Sequence, residues 1–428
     1  MVMEEDENTF YLFNYIKDNI SSDKKYLEYI RYEINDRIYY YGNHFINHHE
    51  INLSANLDVK KYFFYFYSIL RSHFSHFSDI SKKKILSGSY INLDHYLSDI
   101  GYLVYSPPWF LKKNIINNWN LFIATQKTQY ILSRFNFNEL IKSSYLHEIR
   151  EYYIKVKNVL KINNIRGYIA PHDMSCFEKI IIDVCKEENI PTLTYTHGNL
   201  HSIYNLIDEN RTDSLAVWGQ KSKESFIKMG WDPNKIYVAG NPKYNRVPSK
   251  YNFGFENILV LTKAVNGNQF SDKVRLSDRG NSILYLYSIQ NTLQKLGIKR
   301  ATFRVHPSES KRWYQKFIDN SFYIPDEMPL IDSLKQASLV IGPISSVFVE
   351  SLYFEKNYVL FEPIIKGKNL LNLKLTPPID GSDKRIPLAT SEEELFYLLK
   401  NKIKVELDVF CDYVKVPFDI SFIKKLIS

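Results

Sequence analysis

Cysteine is scarce and patternless. Cys176, Cys185 and Cys411 are the only three in 428 residues, and none forms a CxxC pair. A disulfide framework and a zinc site are both disfavoured, and a reducing compartment fits best. No apolar run approaches the roughly 18 residues that would span a bilayer. The longest, Tyr62 to Leu70, reads YFFYFYSIL. The segment Met1 to Asn8 is acidic and lacks the basic and apolar regions of a signal peptide, so the expected location is cytoplasmic. Lys and Arg leave a formal charge of +8, yet they form no long block or arm, which makes nucleic acid an unfavoured partner. There is no internal repeat, no low-complexity tract and no DxD metal motif.

What is present is an ordinary globular composition, with 45% hydrophobic and 24% charged residues. The length suits two domains of roughly 150 to 250 residues each. The mild positive balance suits an anionic substrate or the acidic inner face of a membrane. The aromatic run Tyr62 to Leu70 continues into Arg71, His73 and His76, with Phe74 and Phe77 between them. A buried helix is the first reading of it, and a peripheral helix lying at a membrane interface the second.

Patterning is weakest in the first 150 residues and sharpens from Arg166. There GYIAPHD reads as a buried strand, SCFEKIIIDVCKEEN as an amphipathic helix and IPTLTYTHG as a second strand, a β-α-β unit. SLAVWG, the helix QKSKESFIKMG and KIYVAGNP continue the series. Val247 to Glu256 lacks helical periodicity and carries Pro248, Ser249, Asn252 and Gly254, so it reads as a linker. A second run follows, with NILVLTK, ATFRVHP, LVIGP and VLFEP as strands and helices between them. The expected organisation is an N-terminal Rossmann-like acceptor-binding domain over 1–246, a linker over 247–255, a C-terminal Rossmann-like nucleotide-binding domain over 256–405, and a helical tail over 406–428 that can pack back on the first domain.

Ligands of such folds bind beyond the C-terminal ends of the strands. In the second run, Gly342-Pro343 is followed by Ser345, Ser346 and a helix, which offers hydroxyls and free N–H groups to a phosphate. A plain helix cap is the simpler alternative. Arg304, His306 and Pro307 end another strand, where a cation and an imidazole can meet phosphate or ribose, and Pro307 restrains His306. Lys263 and Lys243 follow strand-like runs, and Glu350 lies one turn into the helix after Ser346, within reach of ribose hydroxyls. Asn241 sits in a sharp break after a strand. In the first run, His197 can serve as a general base near neutral pH, Gly198 allows close backbone approach, and His172 and Asp173 end the neighbouring strand, where Asp173 can orient His197 or act as the base itself. Taken singly, each of these is as well explained as a loop-capping polar group; their shared placement at strand ends is the signal.

The order THG, then WGQKSKESFIKMGWDPNKIYVAGNPKYN, then HP, then SS resembles bacterial glycosyltransferases of the GT-B class, among them the CMP-sialic acid and CMP-Kdo transferases of surface polysaccharide synthesis. The resemblance covers about Gly167 to Pro363. It implies an α/β fold of two Rossmann-like domains facing each other across a cleft, and a CMP moiety held by His306, Ser345 and Ser346. Those sialyltransferases carry an acidic motif ending in glycine whose carboxylate is the base, where this chain has Thr196-His197-Gly198. The same elements are similar to the CDP-glycerol glycerophosphotransferases, in which a His is implicated as base, which makes His197 the first choice here. More distantly, the WGQ to GNP stretch is similar to the end of the first domain of UDP-N-acetylglucosamine 2-epimerase.

The implied activity is metal-independent, inverting transfer of a sialic acid- or Kdo-like sugar from a CMP-sugar to a hydroxyl of a capsule, lipooligosaccharide or O-antigen acceptor. No cofactor is implied; the partners are the nucleotide sugar and an oligosaccharide or glycolipid acceptor. The rivals are a CDP-glycerol or CDP-ribitol polyol-phosphate transferase and a non-catalytic binding subunit of a polysaccharide assembly complex.

Overall fold

The computed structural model describes residues 15, 17–18, 24–31, 33, 59–75, 83–107, 115–116, 118–134, 143–196, 212–228, 230–263, 276–307, 309–371 and 381–427. Two all-parallel sheets of six strands organise them. The first is built from β1 (Lys83–Ser87), β2 (Tyr102–Tyr105), β3 (Ile165–Ala170), β4 (Thr192–Tyr195), β5 (Ser214–Val217) and β6 (Ile236–Val238), in the order β2-β1-β3-β4-β5-β6. The second uses β7 (Ile258–Leu261), β8 (Ala301–Arg304), β9 (Tyr323–Pro325), β10 (Leu339–Gly342) and β11 (Tyr358–Phe361). A small antiparallel hairpin, β12 (Ile364–Ile365) with β13 (Lys368–Asn369), precedes its last strand, β14 (Leu388–Ala389). Its order is β14-β11-β10-β7-β8-β9.

Strands covered on both faces must be apolar along their whole length. ILVL in β7, LVIG in β10 and YVLF in β11 satisfy this, with every residue buried. Numbered within its own half, the second sheet runs 3-2-1-4-5-6 from the β9 edge, the dinucleotide-binding order. The first begins 2-1-3, as in flavodoxin-like sheets. This is the α/β, GT-B-like architecture expected from the motif order.

The helices of the first half are α1 (Lys24–Tyr29), α2 (Val59–Ser75), α3 (Asp94–Asp99), α4 (Trp119–Arg134), α5 (Ser143–Ile162), α6 (Cys176–Glu187) and α7 (Gln220–Lys228). Those of the second are α8 (Leu276–Lys295), α9 (Lys311–Tyr314), α10 (Leu330–Gln336), α11 (Val347–Tyr353) and α12 (Glu392–Lys400), followed by α13 (Val409–Tyr413) and α14 (Ser421–Ile427). Among the described residues, no helix is long and apolar enough to cross a membrane.

One apolar core runs through both halves, from Leu193 and Trp218 through Leu261 and Phe348 to Phe410 and Phe422. The C-terminal segment closes it. Lys415 N donates to the Trp218 carbonyl and Asp419 N to the Ala239 carbonyl, each at 2.8 Å. Gly240 makes this crossing possible: its φ is +83°, and a Cβ there would lie 2.3 Å from the Lys415 carbonyl oxygen. Residues 247–257 run along the second half, where Asn252 N bonds the Glu355 carbonyl and Asn257 N the Ser338 hydroxyl.

Candidate functional site

In open parallel sheets a crevice opens where the strand order reverses. In the second half that point lies between β7 and β10, and Lys263 follows the first while Ser345 and Ser346 follow the second. His306 follows β8 next door. Four of the expected phosphate contacts therefore share one sheet edge.

The β10 loop is tightly determined. Tyr358 passes beneath it and donates to the Pro343 carbonyl at 2.7 Å. A Cβ at Gly342 would meet that phenol oxygen at 2.2 Å, so glycine is required for the close approach. Glu362, wholly buried at the end of β11, accepts the Ile344 N–H at 2.6 Å. Ser345 Oγ accepts the Val347 N–H at 3.3 Å, the local turn expected of a plain cap. Ser346 occupies the N-cap position without a side-chain cap bond. Helix α11 is only seven residues long, so its dipole is small and the hydroxyls, not the helix, are what the loop offers.

The His-Pro loop has its own anchor. Thr262 Oγ1 accepts the His306 N–H at 3.0 Å and donates to Glu309 Oε2 at 2.5 Å, while Tyr314 donates to Glu309 Oε1 at 2.7 Å. His306 is left at the surface with its pKa lowered, first by partial burial and then by the Lys263 cation. Burial also lowers Lys263, and the Glu362 charge works against that lowering.

Arg304 departs from expectation. Its Nη1 donates to Asp326 Oδ2 at 2.7 Å and to the Met328 carbonyl at 2.6 Å. The Asp326 side chain is 1% exposed, so the guanidinium neutralises a buried carboxylate below the sheet edge. A strand residue can point to either face, and the motif FRVHP gives no sign of which.

Lys243 and Glu350 meet where the two halves adjoin. The expected phosphate cation and ribose acceptor are paired with each other, Lys243 Nζ lying 2.7 Å from Glu350 Oε1 across the two halves. Glu350 Oε2 is buried without a hydrogen-bond partner. Asn241 is 3% exposed, and its Oδ1 accepts the Lys243 N–H at 2.9 Å, an Asx turn that presents Lys243.

At the reversal point of the first sheet, between β1 and β3, lie Gly88 and Ser89 on one side and His172 and Asp173 on the other. His172 Nδ1 accepts the Met174 N–H at 3.4 Å, and its ring centroid is 6.4 Å from that of Tyr90. Glu178, in the first turn of α6, is 4% exposed, bonds Ser175, and its charge helps raise the Tyr90 and Tyr168 phenols, whose main cause is burial. The sequence signal for it was Ser175-x-x-Glu178, a capping-box pattern whose ordinary meaning is structural. His197 and Gly198 lie outside the described residues. Among the described residues, no cluster of three or more His, Cys, Asp or Glu side chains is placed to hold a metal ion.

No protein-family model matches the chain, and no curated protein does. Several solved structures are similar in outline. The UDP-GlcNAc 2-epimerase of Methanocaldococcus jannaschii is 14% identical with a TM-score of 0.48, covering 80% of this chain and 98% of its own. The UDP-GlcNAc 2-epimerase of Neisseria meningitidis, bound to UDP-GlcNAc, is 12% identical with a TM-score of 0.45, over 80% of this chain and 97% of its own. MurG of Acinetobacter baumannii is 9% identical with a TM-score of 0.42, over 77% of this chain and 93% of its own. Each score is below 0.5, and the architecture rests on the two sheets themselves.

With Lys263, His306 and two serine hydroxyls on one edge, the second-half crevice has the chemistry to hold a phosphorylated ligand.

Proposed function

We propose that the chain is a glycosyltransferase that takes a nucleotide sugar, a CMP-sugar first, in the crevice between β7 and β10. The observation that carries this reading is the convergence of Lys263, Ser345, Ser346 and His306 at the strand-order reversal of a sheet with dinucleotide-binding order. The donor phosphate sits against the serine hydroxyls and the Lys263 ammonium, with His306 beside it. Glu350 Oε2, buried without a partner, is the acceptor offered to a ribose hydroxyl.

In the reaction, an acceptor oxygen attacks the anomeric carbon, its proton passes to a base on the first half, and the bond from the sugar to the phosphate oxygen breaks. The nucleotide leaves with the electron pair, and Lys263 and His306 offset the charge. Direct displacement inverts the anomeric centre. His197 is the first choice of base, oriented by Asp173, and neither a cofactor nor a metal is assigned a step.

The acceptor belongs to a surface polysaccharide or glycolipid, and helix α2 supports binding at the inner face of the membrane. Its Tyr62, Tyr65 and Ile69 pack on Ile115 and Phe122, while Val59, Phe63, Phe66 and Tyr67 on the other side are all more than half exposed. The helix contains no acidic residue.

Turnover and nucleotide binding separate the assigned roles. His197→Ala should abolish sugar transfer with nucleotide affinity nearly intact, and His306→Ala should weaken nucleotide binding itself. The reverse pattern overturns the assignment.

A further inference from the structure

Glu362 was not among the residues the sequence marks, and it is the most deeply buried carboxylate at the site, with 0% exposure. A carboxylate is kept in such a place only when its oxygens are bonded and its charge is answered. Both oxygens are bonded: Oε1 accepts the Ile344 N–H at 2.6 Å and Oε2 accepts Asn369 Nδ2 from the β13 hairpin at 3.0 Å. The strand order then decides what lies beyond them. Along the C-terminal edge the sheet presents Glu362 after β11, the Pro343 to Ser346 loop after β10, Lys263 after β7 and His306 after β8.

We propose that Glu362 is a positioning residue of the donor site, tying the Ser345-Ser346 loop down through Ile344 and holding the Lys263 ammonium toward the phosphate from across that loop. This rests on the nucleotide-sugar reading and deepens it. Burial lowers the Lys263 pKa and the Glu362 charge works against that lowering, so the carboxylate favours the ammonium form. The titratable groups around the pair include Glu309, which accepts the His306 N–H at 3.3 Å, His306, lowered by burial and then by Lys263, and the Tyr358 and Tyr285 phenols, raised by burial and then by nearby charges that include Glu362. Those phenols titrate far above working pH.

Glutamine at 362 keeps an oxygen for Ile344 but removes the charge and the bond from Asn369 Nδ2, and since the loss of that bond is the same at every pH, the pH dependence of Glu362→Gln isolates the charge. The test is calorimetric titration of the full chain with CMP and with UDP from about pH 6 to about pH 10, spanning the ordinary His and Lys values. Wild-type affinity should fall on the alkaline side as Lys263 loses its proton. In Glu362→Gln, binding should weaken about tenfold at neutral pH, the loss of one charge-assisted contact, and the alkaline fall should move to lower pH. In Lys263→Met the alkaline fall should vanish, and adding Glu362→Gln to it should cost little more.

A wholly structural Glu362 would weaken binding equally at every pH and equally with Lys263 removed; that result overturns the inference. So does an alkaline fall that survives Lys263→Met, which needs no variant at 362. Wild-type binding left unchanged by Glu362→Gln overturns this inference alone, whereas no nucleotide binding by the wild-type chain overturns the transferase reading and this inference with it.

Discussion

Lys243 Nζ and Glu350 Oε1 lie 2.7 Å apart, joining the turn after the last strand of the first sheet to the helix that follows the donor-site loop. Arg246 reaches Glu355 at 3.2 Å and Tyr353 donates to Asn245 at 2.8 Å nearby, so this seam is polar at its rim and apolar beneath. The Lys243 side chain is 41% exposed, and solvent screens such a pair. Lys243→Met should therefore cost less than about 1 kcal/mol in denaturant unfolding. A loss of several kcal/mol would show that the ion pair, not the core below it, holds the halves together.

Arg304 should behave as a structural residue. Arg304→Met leaves the Asp326 carboxylate buried without its cation, and unfolding free energy should drop by on the order of 3 kcal/mol. Where the variant is folded, nucleotide affinity should stay within about threefold of wild type, a difference under 1 kcal/mol. Loss of affinity with unchanged stability would return Arg304 to the phosphate.

Gly342→Ala places a methyl group 2.2 Å from the Tyr358 oxygen and forces the donor loop to move. The expected cost is about 1–3 kcal/mol, with weaker nucleotide binding. Adding Tyr358→Phe removes the nearest atom and should restore part of both, as measured by denaturant midpoint and titration. No recovery of either would show that the phenol is not what excludes a side chain at 342.

The pH dependence has a definite sign. His306 and Lys263 have folded pKa values below their ordinary 6.5 and 10.5. Between each folded value and the ordinary one, the unfolded chain binds more protons, so stability rises with pH through both windows. Lys263→Met should flatten the alkaline slope of stability, and His306→Asn should flatten the acidic one. An alkaline slope that survives the removal of Lys263 would contradict the burial argument.

Much of this was legible in the sequence because buried parallel strands cannot hide. ILVL, LVIG and YVLF, each ending in a polar break, marked both the second sheet and the edge where Ser345 and His306 are found. The strands β1 and β2 were not legible. KKILS opens with two lysines, and only its last three residues are buried, so no period stands out. Strand order was hidden too, since the reversal between β7 and β10 is a fact about distant residues. Glu362 and Glu309 escaped notice for the same reason: FEP and HPSES say nothing of the Ile344 N–H or the Thr262 hydroxyl that those carboxylates meet. Arg304 and Lys243 were read as free cations because their partners, Asp326 and Glu350, are 22 and 107 residues away.

The most direct test of the donor crevice is thermal denaturation of the full chain with CMP, CDP, UDP and GDP, since a ligand that binds only the native state raises its stability by mass action. The cytidine nucleotides should raise the melting temperature most, and the rise should disappear when His306→Ala and Ser346→Ala are combined. A chain unmoved by all four nucleotides, or a rise that survives in the double variant, would contradict the placement of a nucleotide sugar between β7 and β10.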